Sequence, residues 1–193
     1  PTRRSSDLPE AGFPASALSA AFAYLDDNWM PRTVHAGEAD GIDSIRSALI
    51  DGRALRLGHG VRIMEAIHHA DERDPQSVRL DPIAEWVLDR KIALETSPSS
   101  NLQTGAFAAQ GSAMNDHPFD VLYRLGFTVT VNTDNRLMSG TTLSREIAVL
   151  AEVFDYTLDD VLEFQLNAAQ SAFLPEADRE ALIAHILDEF DRA

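Results

Sequence analysis

From Thr33 onward, short unbroken apolar runs alternate with longer stretches in which apolar residues return every three or four positions. The runs at residues 33–35, 54–59, 92–94 and 127–132 are continuous, as in parallel strands covered on both faces, and each ends in polar residues. Helix boundaries mark the longer stretches. Residues 42–50 close before Gly52, residues 82–89 begin at Pro82, and residues 118–125 begin at Pro118 and stop at Gly126. Residues 95–101 are rich in hydroxyls and end in an amide, which predicts a chain of hydrogen-bonded turns. Beyond the fourth strand, Leu143, Ile147, Leu150, Ala151 and Phe154 share one helical face, and Thr157 and Asp160 have the spacing of a capping box. Leu182, Ile183, Ile186, Leu187 and Phe190 line one side of a last helix. These apolar faces are expected in the core.

Strands and helices in alternation make this an α/β chain. Such units build either an open doubly wound sheet or a closed barrel, and both place the ligand site at the C-terminal ends of the strands. Four units are half of an eight-unit (β/α)₈ TIM-type barrel, which normally needs ~250 residues or more; the chain has 193. No fixed-period repeat or low-complexity linker divides it.

Composition narrows the function classes. A hydrophobic content of 45% with 24% charged residues is that of a globular domain. The formal charge of −15, with no local Lys/Arg cluster to offset it, argues against a nucleic-acid partner. The absence of cysteine excludes disulfides, thiolate nucleophiles and sulfur-held zinc, including the Cys-x-x-Cys site of cytidine-type deaminases. No apolar run approaches the ~20 residues that span a bilayer, and the N-terminus has no apolar signal core. No membrane partner is therefore expected, and the default location is cytoplasmic.

Chemistry gathers at the strand ends. The first strand runs into His35-Ala36-Gly37-Glu38, an imidazole three residues before a carboxylate, with small residues between that leave room for a ligand. The second ends Gly58-His59-Gly60, where glycines permit either close backbone approach or simply a turn. Ser97, Ser99 and Ser100 lack the G-x-S-x-G surroundings of a hydrolase nucleophile. The fourth strand ends Asn132-Thr133-Asp134-Asn135, a carboxylate and an amide that are either turn formers or site residues. Each has a bland explanation alone, but at four successive strand ends they would feed one mouth.

The segments TVHAGE, RLGHG, SPSSNLQTGA and HPFDVLYRLGFTVTVNTDNRLMSGT, in that order, resemble the adenosine deaminase family from about Pro9 to the end. The resemblance implies the C-terminal half of a (β/α)₈ barrel with a zinc held by four protein ligands, hydrolysing adenosine or deoxyadenosine to inosine and ammonia. By that likeness His35 and Asp134 are metal ligands and Glu38 is the acid that protonates N1 of the purine. His59 orients or deprotonates the attacking water, while Gly37 and Asn135 contact the substrate, a small purine nucleoside. Desolvation in a closed pocket should raise the Glu38 pKa and suit it to donate a proton.

The sequence departs from the family pattern in several places. Asn135 stands where many relatives have a second aspartate, and an amide NH₂ can also donate to purine N7. Ser97-Pro98 replaces a common Cys-Pro. The family's first strand supplies two zinc ligands as H-x-H, a pattern absent here; His68-His69 are adjacent and are expected in a helix or loop after the second strand. Residues 1–8 are expected to be a non-native leader and residues 9–193 the half-barrel domain. With only His35 and Asp134 as ligands, zinc should be held poorly and the chain alone should be inactive. Unpaired strand edges predict self-association. A related deaminase of adenine, AMP or a modified nucleoside, or a non-catalytic half-barrel, are the competing readings.

Overall fold

The computed structural model describes residues 10–71 and 74–192; the expected leader, residues 1–8, lies outside them. A helix α1 (Ser19–Asp27) leads to strand β1 (Thr33–Ala36), helix α2 (Ile42–Ile50) and strand β2 (Arg56–His59). A hairpin of β3 (Ile67–Asp71) and β4 (Asp74–Leu80) precedes α3 (Pro82–Asp89), β5 (Ala93–Thr96) and α4 (Pro98–Thr104). Then come α5 (Phe119–Arg124), β6 (Val129–Val131), α6 (Arg136–Ser139), α7 (Leu143–Phe154), α8 (Leu158–Gln170) and α9 (Glu176–Phe190).

Strands β1, β2, β5 and β6 form one parallel sheet in that order, with His35 opposite Gly58, Gly58 opposite Glu95, and Glu95 opposite Thr130. Four sequential parallel strands with helices between them are half of a barrel wall. Period-two alternation divides the sheet into two faces. Val34, Ala36, Leu57 and Leu94 enter the core with Ile45 of α2, Val87 of α3 and Leu122 of α5. Thr33, His35, Arg56, Gly58 and Glu95 line a cleft of about 920 Å³ on the other face. On that face Arg56 Nε lies 3.0 Å from Glu95 Oε1, and Thr33 Oγ1 donates to Glu95 Oε2 at 2.6 Å. Among the described residues no helix is long and apolar enough to cross a membrane.

The helices expected at 42–50 and 82–89 have those bounds, and the capping box holds: Thr157 Oγ1 accepts from Asp160 N while Asp160 Oδ2 accepts from Thr157 N. Three expectations change. His68 and His69 stand in β3, neither in a helix nor in a loop, because Ile67 pairs across to Leu80 and His69 to Val78, a partnership no local pattern reveals. Residues 95–101 do not form a turn chain: from Pro98 they enter α4, with Pro98 in the first turn and Gly105 at φ +70° closing the end. The apolar side of α9 is only half-buried, packed on α8 with Leu187 41% exposed, so it is not core within this chain.

Candidate functional site

The four strand ends bring the candidates together. His35 stands next to the end of β1, and beyond Ala36 the chain turns through Gly37 at φ +73° to present Glu38. Gly37 is sterically required: an added Cβ would lie 2.8 Å from Ile45 Cδ1 and 3.2 Å from Gly60 Cα. Its amide donates to Glu10 Oε1 at 2.6 Å. His59 ends β2, 2% exposed and at φ +66°, a conformation rare for a residue with a side chain. Its ring centroid lies 4.7 Å from that of His35, and its Nε2 is 3.4 Å from Glu38 Oε2. Asp134, at φ +51° beyond β6, accepts a hydrogen bond from Ser100 Oγ of α4 at 2.7 Å. His35, His59, Asp134 and Asn135 all line the 920 Å³ cleft. A second hollow of about 520 Å³ lies at the other ends of the strands, among Leu55, Lys91 and Phe127, away from this cluster.

A hydrogen-bonded relay fixes His59. Ser97 N–H donates to Asn101 Oδ1 at 3.1 Å, which turns the Asn101 amide so that Nδ2 donates to His59 Nδ1 at 2.9 Å. His59 Nδ1 must therefore accept, and in the neutral ring the proton sits on Nε2, toward Glu38. Asn101 Oδ1 also lies 3.3 Å from His117 Nε2, while His117 Nδ1 accepts from Phe119 N–H at 3.0 Å. Glu38 Oε1 accepts from Thr104 Oγ1 at 3.0 Å.

Burial governs the electrostatics. Desolvation pushes the imidazoles of His35 and His59 below the ordinary histidine range and takes His117 down to about 3. Desolvation pushes the Glu38 carboxyl up, toward its neutral form. The 3.4 Å Glu38–His59 contact thus joins two groups both shifted toward their neutral forms, not a strong ion pair.

The donors suit a metal that takes nitrogen and oxygen. Ligand atoms of His35, Glu38 and His59 lie within 4.8 Å of one another. Asp134 is outside that trio, yet its charge favours the protonated forms of both His35 and His59, and Ser100 orients its carboxylate from behind. Imidazole with carboxylate is a donor set that zinc accepts. Asn135 Oδ1 accepts from Met138 N–H at 3.1 Å, which leaves its NH₂ as the end that can address a ligand.

Sequence reasoning missed three polar residues behind this cluster. Asn101 and His117 lie in the segments SPSSNLQTGA and HPFDVLYRLG that carry the resemblance, but nothing local showed that they meet each other and His59. Glu146 left a local signal: it lies three residues after Leu143 and four before Leu150, on the apolar stripe of α7, where an acid signals a buried carboxyl group. It is fully buried and accepts from Ser99 N–H at 2.9 Å and from Thr141 Oγ1 at 2.6 Å.

The adenosine deaminase family model matches residues 6–189. The chain is 49% identical over 179 residues to adenosine deaminase 1 of Streptomyces coelicolor, covering 92% of the chain and 43% of that protein. It is 47% identical over 179 residues to adenosine deaminase of Mycobacterium avium, covering 92% and 48%. It spans about half the length of the curated relatives it matches. Among solved structures it superposes on adenine deaminase from Arthrobacter aurescens with a TM-score of 0.81 at 23% identity, covering 97% of this chain and 51% of that one. A zinc-bound amidohydrolase from Burkholderia ambifaria gives 0.78 at 21%, covering 96% and 47%. At those identities the likeness is one of fold. The match to the family model and the two close relatives, together with the strand-end cluster, show that the chain belongs to the adenosine deaminase family.

Proposed function

We propose that the protein to which these residues belong hydrolytically deaminates adenosine or deoxyadenosine, replacing the C6 amino group by oxygen and releasing ammonia. The observation that carries this reading is the meeting of Glu38, His59 and His35 at adjacent strand ends, with Glu38 and His59 3.4 Å apart beside the cleft that His35 and His59 line. His35 and Asp134 would hold a zinc ion, whose Lewis acidity when bound makes water a competent nucleophile near neutral pH. Glu38, its pKa raised by burial, gives a proton to N1 and draws electrons from C6. His59, with its proton on Nε2, orients the attacking water as a donor, because Nδ1 is committed to Asn101. The Asn135 NH₂ donates to purine N7. The turn at Gly37 keeps bulk away from the approach to Glu38.

Following adenosine absorbance over time in the full-length protein that carries these residues, with its zinc content by elemental analysis, tests this reading. Conversion of adenosine to inosine faster than of adenine or AMP supports it. Faster turnover of adenine or AMP replaces the substrate, and absence of both zinc and turnover refutes the enzymatic reading.

A further inference from the structure

Glu10 stands 28 residues before Glu38, in the segment leading to the first strand, yet its side chain is built into the turn that carries Glu38. Oε1 accepts from Gly37 N–H at 2.6 Å and from the Ser44 hydroxyl at 2.5 Å. Oε2 accepts from Glu38 N–H at 3.0 Å and Ala39 N–H at 2.8 Å. Three successive amides converging on one point form a concavity that favours an anion, and here a carboxylate of the same chain fills it. The left-handed backbone at Gly37 is what turns these amides inward.

We propose that Glu10 is a positioning residue: by holding the amides of Gly37, Glu38 and Ala39 it sets the direction in which the Glu38 side chain leaves the backbone toward His59. The φ and ψ angles of Gly37 and Glu38 determine the Cα–Cβ direction of Glu38, and the Glu10 carboxylate is the group that binds both amides at once. Ser44 ties the same carboxylate to the first turn of α2, so the turn is referenced to a packed helix rather than to a loop. Without the carboxylate, three converging N–H groups lose their shared acceptor and the turn relaxes. A catalytic group displaced by ~1 Å loses about 100-fold in rate. The inference rests on Glu38 being the proton donor of the proposed reaction.

Glu10→Ala and the isosteric Glu10→Gln, whose NH₂ would confront either the Glu38 and Ala39 amides or the Gly37 amide beside the Ser44 hydroxyl, test it in the same protein. Both should lower kcat for adenosine about 100-fold while KM moves less than about threefold. The backbone amide NMR signals of Gly37, Glu38 and Ala39 should shift together in both variants. Unchanged kcat in both, or a KM that rises as much as kcat falls, overturns the proposal. Unmoved amide signals overturn it too. The amide signals need no turnover, so they still decide the Glu10 clamp if the unsubstituted protein proves not to deaminate adenosine.

Discussion

Truncating Glu146 to alanine removes a carboxyl group that joins two parts of the site wall. Its Oε2 accepts from Ser99 N–H at the start of α4, and its Oε1 accepts from the hydroxyl of Thr141, in the segment between α6 and α7. Glu146 is fully buried and Thr141 is buried, while Ser99 is partly buried. Each orphaned buried donor costs about 1–3 kcal/mol, and the vacated volume adds to that, giving ~4 kcal/mol for Glu146→Ala. For a chain of this size, 2–4 °C of Tm per kcal/mol makes the shift on the order of 10 °C. Glu146→Gln preserves shape and one acceptor oxygen and should cost about half as much. Because Ser100 follows Ser99 and donates to Asp134, both variants should also loosen the orientation of Asp134. Thermal and urea melts by circular dichroism at one pH provide the measurement. A Glu146→Ala protein within about 1 kcal/mol of the parent would refute the reasoning, since the Ser99 N–H and the Thr141 hydroxyl would then have lost this carboxylate at almost no cost.

Four further outcomes follow from the same geometry. A Cβ on Gly58 would lie 2.6 Å from His35 Cδ2, so Gly58→Ala should rotate that imidazole and, if His35 holds zinc in the full-length protein as proposed, lower its zinc content by elemental analysis while the far-UV spectrum stays unchanged. If Glu38 acts as a proton donor, the rate should fall as pH rises through its raised pKa; Glu38→Gln should lose that limb and about 10²–10⁴ in kcat, and a persisting limb assigns the titration to another group. His117, held near 3 in the fold against 6.5 for an ordinary histidine, binds its proton first in the unfolded chain. Its contribution is therefore present above pH 6.5 and lost as pH falls toward 3; urea midpoints should drop across that interval, and less steeply in His117→Gln. With β1 and β6 each paired on one side only among the described residues, size-exclusion of this chain should show self-association, and a sharp monomer peak would contradict that.

Much of the fold was legible in the order of residues. Continuous apolar runs marked all four parallel strands, and prolines and glycines marked α2, α3 and α5, because both signals act within a few residues of backbone. The meeting of Glu38 with His35 and His59, and of Asp134 with both histidines at the cleft, was legible as well, since parallel strands joined by helices place their C-terminal ends on one rim. Tertiary structure alone decided the rest. The hairpin of β3 and β4 exists through cross-strand pairs, and α4 replaced a turn chain once its serines and Asn101 found partners outside it. The proton position on His59 depends on Asn101, 42 residues away, and the turn bearing Glu38 on Glu10, 28 residues away. Local periodicity reports which side of an element is apolar, whereas the partner of a buried polar atom is chosen by chain closure over tens of residues, and no short window of sequence contains both ends of that contact.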